Sequence, residues 1–312
     1  GETFHFRVTA ANRGGESFPS ETVSAFSCPN ARKTILVING FHRLATPAVV
    51  DNNYQQGFDI DRDPGVSYGL TAGWNGRRQC FDVSRMGHEG PGGLGYGGDE
   101  LAGHFIAGND FNYTIAHTDA IASAKQYNVV SCSSEAIEAG KVKLEKYQAV
   151  DLILGLEKYD PNTVKYYKSF PMSMQRRIAA YTQGGGRILV SGAYVGEDMM
   201  QEDDAAWLSR IMKANYGGTV KTDSLTGVNG LGLQFDFYRT LNPYHYAATH
   251  TDVLSPEGSA ICAMQYSSGQ SAAVAYSGTD YKVFVMGFPF ECITDRITRN
   301  KLMQGILNYI LQ

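Results

Sequence analysis

The chain has little of what would make several functions easy to recognise. Its five cysteines (Cys28, Cys80, Cys132, Cys262 and Cys292) form no Cys-x-x-Cys pair and no zinc spacing with the histidines. A zinc-ribbon or thioredoxin-type redox centre is therefore excluded, and neither a metal nor a cofactor is expected. Cys132 and Cys262 lie in apolar, strand-like runs and are expected to be small buried hydrophobes. Charged residues make up only 19%, with a formal net charge of −4, so no broad basic face exists to neutralise a phosphate backbone. Nucleic acid is excluded as a partner on that ground. No apolar run approaches the ~20 residues that span a bilayer, so no transmembrane segment is expected. Tryptophan occurs only twice, whereas 35 glycines and 19 tyrosines are present in 312 residues. Abundant glycine and tyrosine with sparse lysine suit an exported protein that handles carbohydrate.

Periodicity divides the chain. Phe4, Phe6, Val8 and Ala10 alternate with polar residues, and a Gly14-Gly15 turn leads into Glu21–Phe26, which reads as a β-hairpin. A hairpin alone is marginal in water, so this one is expected to lean on the domain C-terminal to it. Residues 1–30 then form a terminal hairpin and linker, and residues 31–312 a larger α/β domain. In the latter, Lys33–Gly40, Tyr127–Ser131, Ala149–Gly155 and 187–191 are short buried runs separated by helix-length spacers. Such alternation predicts right-handed crossovers and parallel strands of one sheet. Helices are expected over Glu135–Lys146, Ser173–Thr182, Trp207–Lys213 and Asp295–Leu311. Closely spaced later strands (Gly218–Lys221, Leu231–Phe235, Ala260–Tyr266, Ala272–Tyr276, Lys282–Gly287) predict an antiparallel far edge.

A stretch at about 41–120 separates the first two parallel strands and is far longer than the ~2–6 residues of an ordinary strand-to-helix loop. Its aromatics, among them Tyr68, Trp74, Phe81 and Tyr96, argue for an ordered cap over one end of the sheet. Within it, Asp59-Ile-Asp61-Arg-Asp63 has the start of a calcium loop, but the twelfth position is Leu70 where a bidentate Glu is needed. Gly90-Pro-Gly92-Gly-Leu-Gly95 matches a dinucleotide fingerprint in letters only, because no strand precedes it.

Residues 187–196 read Arg-Ile-Leu-Val-Ser-Gly-Ala-Tyr-Val-Gly, a buried strand entering a Gly-x-Tyr-x-Gly turn. A nucleophile elbow has this form, with glycines permitting a strained turn that projects the central side chain. The central residue is Tyr194, whose phenol titrates near ~10 and is a poor nucleophile at neutral pH.

The elbow and the final strand, Val-Phe-Val-Met-Gly-Phe-Pro-Phe-Glu291, resemble the class I glutamine amidotransferase-like fold over roughly residues 33–312, the insertion apart. That resemblance implies a flavodoxin-like, mostly parallel sheet with helices on both faces. The family's Cys is replaced by Tyr194, and no His follows the last strand, so glutaminase activity is not implied. The run Phe4-His-Phe-Arg-Val-Thr-Ala-Ala-Asn-Arg-Gly-Gly-Glu-Ser resembles the last two strands of a fibronectin type III module. Together the two resemblances suggest the C-terminal region of secreted, multidomain bacterial proteins often called xanthan lyases or N-acetylmuramoyl-L-alanine amidases. They imply a periplasmic, cell-surface or secreted location, with upstream domains of the same polypeptide as partners.

Ligands in open α/β sheets bind outside the carboxyl ends of the strands. There the sequence puts Tyr194, Glu291, Glu157 and His42 as candidate catalytic groups, with the two carboxylates able to divide acid and base roles. Arg43, Gly192, Ala193, His88 and Glu89 are the candidate ligand-binding residues, with the turn's backbone N–H groups open to a ligand oxygen. Three function classes are in play. One is a noncatalytic or repurposed domain that serves binding or architecture in the cell envelope, with polysaccharide or peptidoglycan fragments as ligands. Another is a hydrolase or lyase that acts on such material through Tyr, Glu and His. The third is a metal-stabilised carbohydrate-binding domain that uses the aromatic-rich insertion.

Overall fold

The computed structural model describes residues 1–13, 15–16, 20–42, 48–51, 54, 56–59, 113–159, 166–221, 227–238, 248 and 250–312. In chain order the strands are β1 (Glu2–Phe6), β2 (Ala11–Asn12), β3 (Gly15–Glu16), β4 (Val23–Ser27), β5 (Thr34–Asn39), β6 (Ala48–Asp51), β7 (Gln56–Asp59), β8 (Asn128–Ser133) and β9 (Ala149–Gly155). They continue with β10 (Arg187–Gly192), β11 (Ala214–Lys221), β12 (Val228–Gly230), β13 (Leu233–Phe235), β14 (His250–Pro256), β15 (Ile261–Tyr266), β16 (Ser271–Ser277) and β17 (Lys282–Met286). The α-helices are α1 (Tyr113–Ala122), α2 (Ser134–Glu138), α3 (Met172–Gln183), α4 (Glu202–Trp207) and α5 (Arg296–Leu311).

One 11-stranded sheet organises the molecule, in the order β1-β4-β8-β5-β9-β10-β17-β16-β15-β12-β13. Its centre is parallel: β8 pairs β5, β5 pairs β9, β9 pairs β10 and β10 pairs β17. The four short buried runs read from sequence are therefore parallel neighbours. Both margins are antiparallel, through β4 on β8 at one side and β16, β15, β12 and β13 at the other. The expected flavodoxin-like, mostly parallel sheet is thus corrected to a large mixed sheet with few helices among the described residues. The antiparallel far edge follows the close spacing of the later strands, whereas hydrophobic periodicity does not report which strand lies alongside, so the antiparallel addition of β4 to β8 left no separate mark.

Alternation within the central strands builds two cores. Ile35, Val37, Ala149, Ile153, Leu189, Phe284 and Met286 face one side, where α1 and α5 lie. Leu36, Ile38, Val150, Leu152, Ile188, Val190 and Val285 face the other, under α3 and the Trp207 region. Each fully buried aliphatic side chain contributes about 1.5–3 kcal/mol through loss of apolar surface from water. Leu302, Met303, Ile306, Leu307 and Ile310 do this for α5, which starts where the Asp295 carboxylate caps the Thr298 N–H at 2.7 Å.

Three local expectations change. The helix expected over Glu135–Lys146 is the short α2 followed by a 3₁₀ turn at Leu144–Lys146, with Gly140 at φ +70° between them. The helix expected at Trp207–Lys213 starts earlier, as α4, and ends in a π turn at Leu208–Met212 with Lys213 in the left-handed region. Neither cysteine expected to be buried is so: Cys262 is exposed on β15, near the sheet margin, and Cys132 on β8 is half-buried. The N-terminal hairpin does lean on the main body: β4 hydrogen-bonds to β8 and carries β1 outside it.

Candidate functional site

The parallel strands end along one edge, and the loops leaving it carry most of the residues singled out in the sequence. After β5 the chain passes Gly40 and Phe41 to His42. β9 ends at Gly155, at φ +51°, where a Cβ would stand 2.3 Å from Phe41 Cδ1. Only glycine allows this approach, and it brings Glu157 beside His42. The His42 backbone N–H donates to Glu157 Oε2 at 2.9 Å, and His42 Nδ1 lies 3.2 Å from the same oxygen. On the other side of the ring, Nε2 lies 3.2 Å from Glu135 Oε1, which α2 supplies. Tyr167 completes the pocket, its ring 4.8 Å from the imidazole.

This arrangement fixes charge. Burial by itself lowers the pKa of His42, but the Glu157 and Glu135 carboxylates outweigh it and raise the pKa to about 10. In return, the hydrogen bond from His42 outweighs burial and holds Glu135 down at about 2. At neutral pH the cluster is an imidazolium between two carboxylates. A protonated imidazole donates hydrogen bonds and cannot act as a base.

The turn after β10 departs from an elbow. Tyr194 is not among the described residues at positive φ, so the strained projection of an elbow nucleophile is missing. A 3₁₀ turn, Glu197–Met199, comes next in place of a long helix. The backbone N–H groups expected to receive a ligand oxygen are engaged inside the protein. Ala193 N–H donates to Gly155 O at 2.8 Å, and Gly192 pairs with Gly155 across the strands. Gly196 and Glu197 N–H donate to Asp252 Oδ2 at 2.5 and 3.1 Å. Asp252 is fully buried on β14, and burial pushes its pKa well above the ordinary carboxylate range. Tyr194 is half-buried, with the Lys158 ammonium 4.3 Å from its ring centroid. Lys158 also lies 3.6 Å from Glu197.

Glu291 is placed differently from its sequence companions. It lies in the 3₁₀ turn Phe290–Cys292 and is 0% exposed. Its Oε2 is 3.3 Å from Nε2 of His117 on α1, whose Nδ1 is 2.7 Å from Asp151 Oδ2 on β9. Burial pulls the His117 pKa down, yet Asp151 and Glu291 together raise it to about 9. The structure therefore brings together His42 and Glu157, puts Tyr194 on the same edge, and seals Glu291 inside the core. Arg43, His88 and Glu89 lie outside the described residues, as do the dinucleotide-like run and most of the calcium-like loop. Among the described residues no cluster of His, Cys, Asp or Glu could hold a metal ion, and no helix is long and apolar enough to cross a membrane.

Sequence reasoning missed Glu135, His117, Asp151 and Asp252. Asp151 did leave a signal: it is the one charged residue inside the apolar run Ala149–Gly155. A carboxylate in a fully buried strand needs a cationic or hydrogen-bonding partner.

No family model matches the chain, and no curated protein matches it. Solved structures of similar shape include the exo-β-1,4-mannosidase Op5Man5 from Opitutaceae bacterium strain TAV5, at 12% identity and TM-score 0.42, over 64% of this chain and 31% of that one. A polyextremophilic β-galactosidase from the Antarctic haloarchaeon Halorubrum lacusprofundi aligns at 17% identity and TM-score 0.39, over 64% of this chain and 27% of that one. The cytoplasmic protein STM1381 from Salmonella typhimurium LT2 aligns at 11% identity and TM-score 0.43, over 89% of this chain and all of the other. The chain thus spans about a third or less of the two glycosidases. The expected membership of the amidotransferase-like family, and the fibronectin type III resemblance, are corrected: no family model of either kind matches the chain, and none of these neighbours carries either name.

Proposed function

We propose that this chain is a carbohydrate-binding domain of an exported bacterial protein, and that it holds polysaccharide or peptidoglycan fragments at the carboxyl edge of its sheet without turning them over. The observation that carries this reading is the clamp on His42. Locked as a cation between Glu135 and Glu157, it leaves the described residues of this edge with hydrogen-bond donors and acceptors but no neutral imidazole to act as a base. Tyr194, beneath Lys158, adds an aromatic surface to the same edge. The Glu135 side chain is 45% exposed and can accept from sugar hydroxyls while still paired with His42. The exported setting is supported by the glycine- and tyrosine-rich composition.

The test is affinity electrophoresis against soluble polysaccharides and muropeptides, with parallel assays for reducing ends and unsaturated sugar products. Retardation without product formation is expected, and Glu135→Gln should weaken it about tenfold, the equivalent of ~1.4 kcal/mol for one charge-assisted hydrogen bond. Steady product release would replace the binding reading with that of a hydrolase or lyase.

A further inference from the structure

Two tyrosines on the same edge are unusual in their exposure. Tyr159, just after β9, is 46% exposed, and Tyr166 is 61% exposed. Their ring centroids are 5.2 Å apart at an interplanar angle of 41°. Isolated exposed aromatics need no explanation, but a contacting pair on a supported backbone is a different matter. Asp198 supplies that support: its Oδ1 accepts from the Tyr159 N–H at 2.8 Å and its Oδ2 from the Ser169 N–H at 2.7 Å. One carboxylate thus ties down both chain segments that carry the rings. Next to Ser169, Lys168 is buried and ion-paired with Asp204. Tyr167 packs on the His42 ring, so Tyr166 is the chain neighbour of a residue that contacts the polar cluster.

From this geometry we infer that Tyr159 and Tyr166 form an aromatic subsite that stacks on the apolar face of a neutral pyranose. The inference rests on the carbohydrate-binding reading above and names the ligand class. A pyranose ring presents a patch of C–H groups on one face and hydroxyls around its rim. Tyrosine rings meet the first with large contact area at low conformational cost, since only two side-chain torsions must be fixed. Glu135, whose side chain is 45% exposed, is an acceptor for the second. Charge selects among sugars. Among the described residues around the pair, the carboxylates of Glu135, Glu157, Glu197, Asp198 and Asp204 outnumber the cations of His42, Lys158 and Lys168, so a uronate would meet like charge.

The test uses the full chain in affinity electrophoresis against neutral glucans, mannans, galactans and xylans, and against anionic alginate and polygalacturonate. Variants are Tyr159→Ala, Tyr166→Ala, the double variant and Glu135→Gln, each checked for folding by circular dichroism. Alanine keeps the Tyr159 N–H that Asp198 holds. The expected result is retardation by at least one neutral polysaccharide, weakened at least tenfold in the double variant. Retardation by anionic polysaccharides alone, or a folded double variant that binds like the parent, overturns the inference. If that parent-like double variant coexists with loss of binding in Glu135→Gln, the subsite fails while the broader binding reading stands. Absence of binding to every carbohydrate overturns both.

Discussion

His117 Nδ1 lies 2.7 Å from Asp151 Oδ2, and neither side chain has appreciable contact with solvent. The pair ties α1 to the middle of the sheet, and Glu291 at 3.3 Å closes the other side of the ring. Phe290 packs edge-on against the imidazole, centroids 4.8 Å apart. At its own N-terminus α1 meets the site through Tyr113, which stacks on Phe41 at 5.9 Å, one residue before His42. The buried triad and the exposed edge are therefore two ends of one packed unit.

Breaking that triad by removing one partner strands buried charge. His117→Ala should lower the unfolding free energy by about 3–5 kcal/mol, as measured by urea denaturation. Pairing it with Asp151→Leu should cost less than the sum of the two single changes, because the second removes the charge that the first left uncompensated.

Stability should fall on the alkaline side. His117 and His42 have folded pKa values raised to about 9 and about 10, above the ordinary 6.5. Their contribution is fully present below pH 6.5 and is lost as pH rises through 9 and 10. Glu135 has the opposite sign: its folded value of about 2 gives stability that is present above pH 4.5 and lost as pH falls towards 2. Denaturant midpoints measured from pH 6 to pH 10 should decline, and His117→Phe should show a shallower decline.

Glu291→Gln keeps the side chain's shape while removing its charge beside His117. A lower Tm with unchanged carbohydrate retention is the expected outcome, since Glu291 is sealed from solvent. Lost retention in a folded variant would instead put Glu291 in contact with ligand.

Gly155→Ala places a Cβ against the Phe41 ring and forces an L-residue to φ +51°. Left-handed strain and overpacking together should cost about 2–4 kcal/mol. The displaced Phe41 should also move His42 off Glu157, visible as a fall in the His42 pKa in an imidazole NMR titration.

Much of the scaffold is legible in the sequence. The four apolar runs with helix-length spacers are parallel neighbours, and Asp295–Leu311 is a capped, buried-face helix, because burial period and capping are local properties of sequence. His42, Glu157 and Tyr194 are marked by their positions just past strand ends. The tertiary structure alone decided the rest. It joined the N-terminal hairpin to the sheet as an antiparallel margin, filled the turn's amides with Asp252 from a strand 56 residues away, and set Glu135 against His42. It also turned Glu291 inward onto a histidine, 174 residues distant in sequence. A sequence records that a carboxylate sits at a strand end; which cation, amide or ligand it faces is fixed only when distant segments close around it, because a buried charge is stable only with that partner in place.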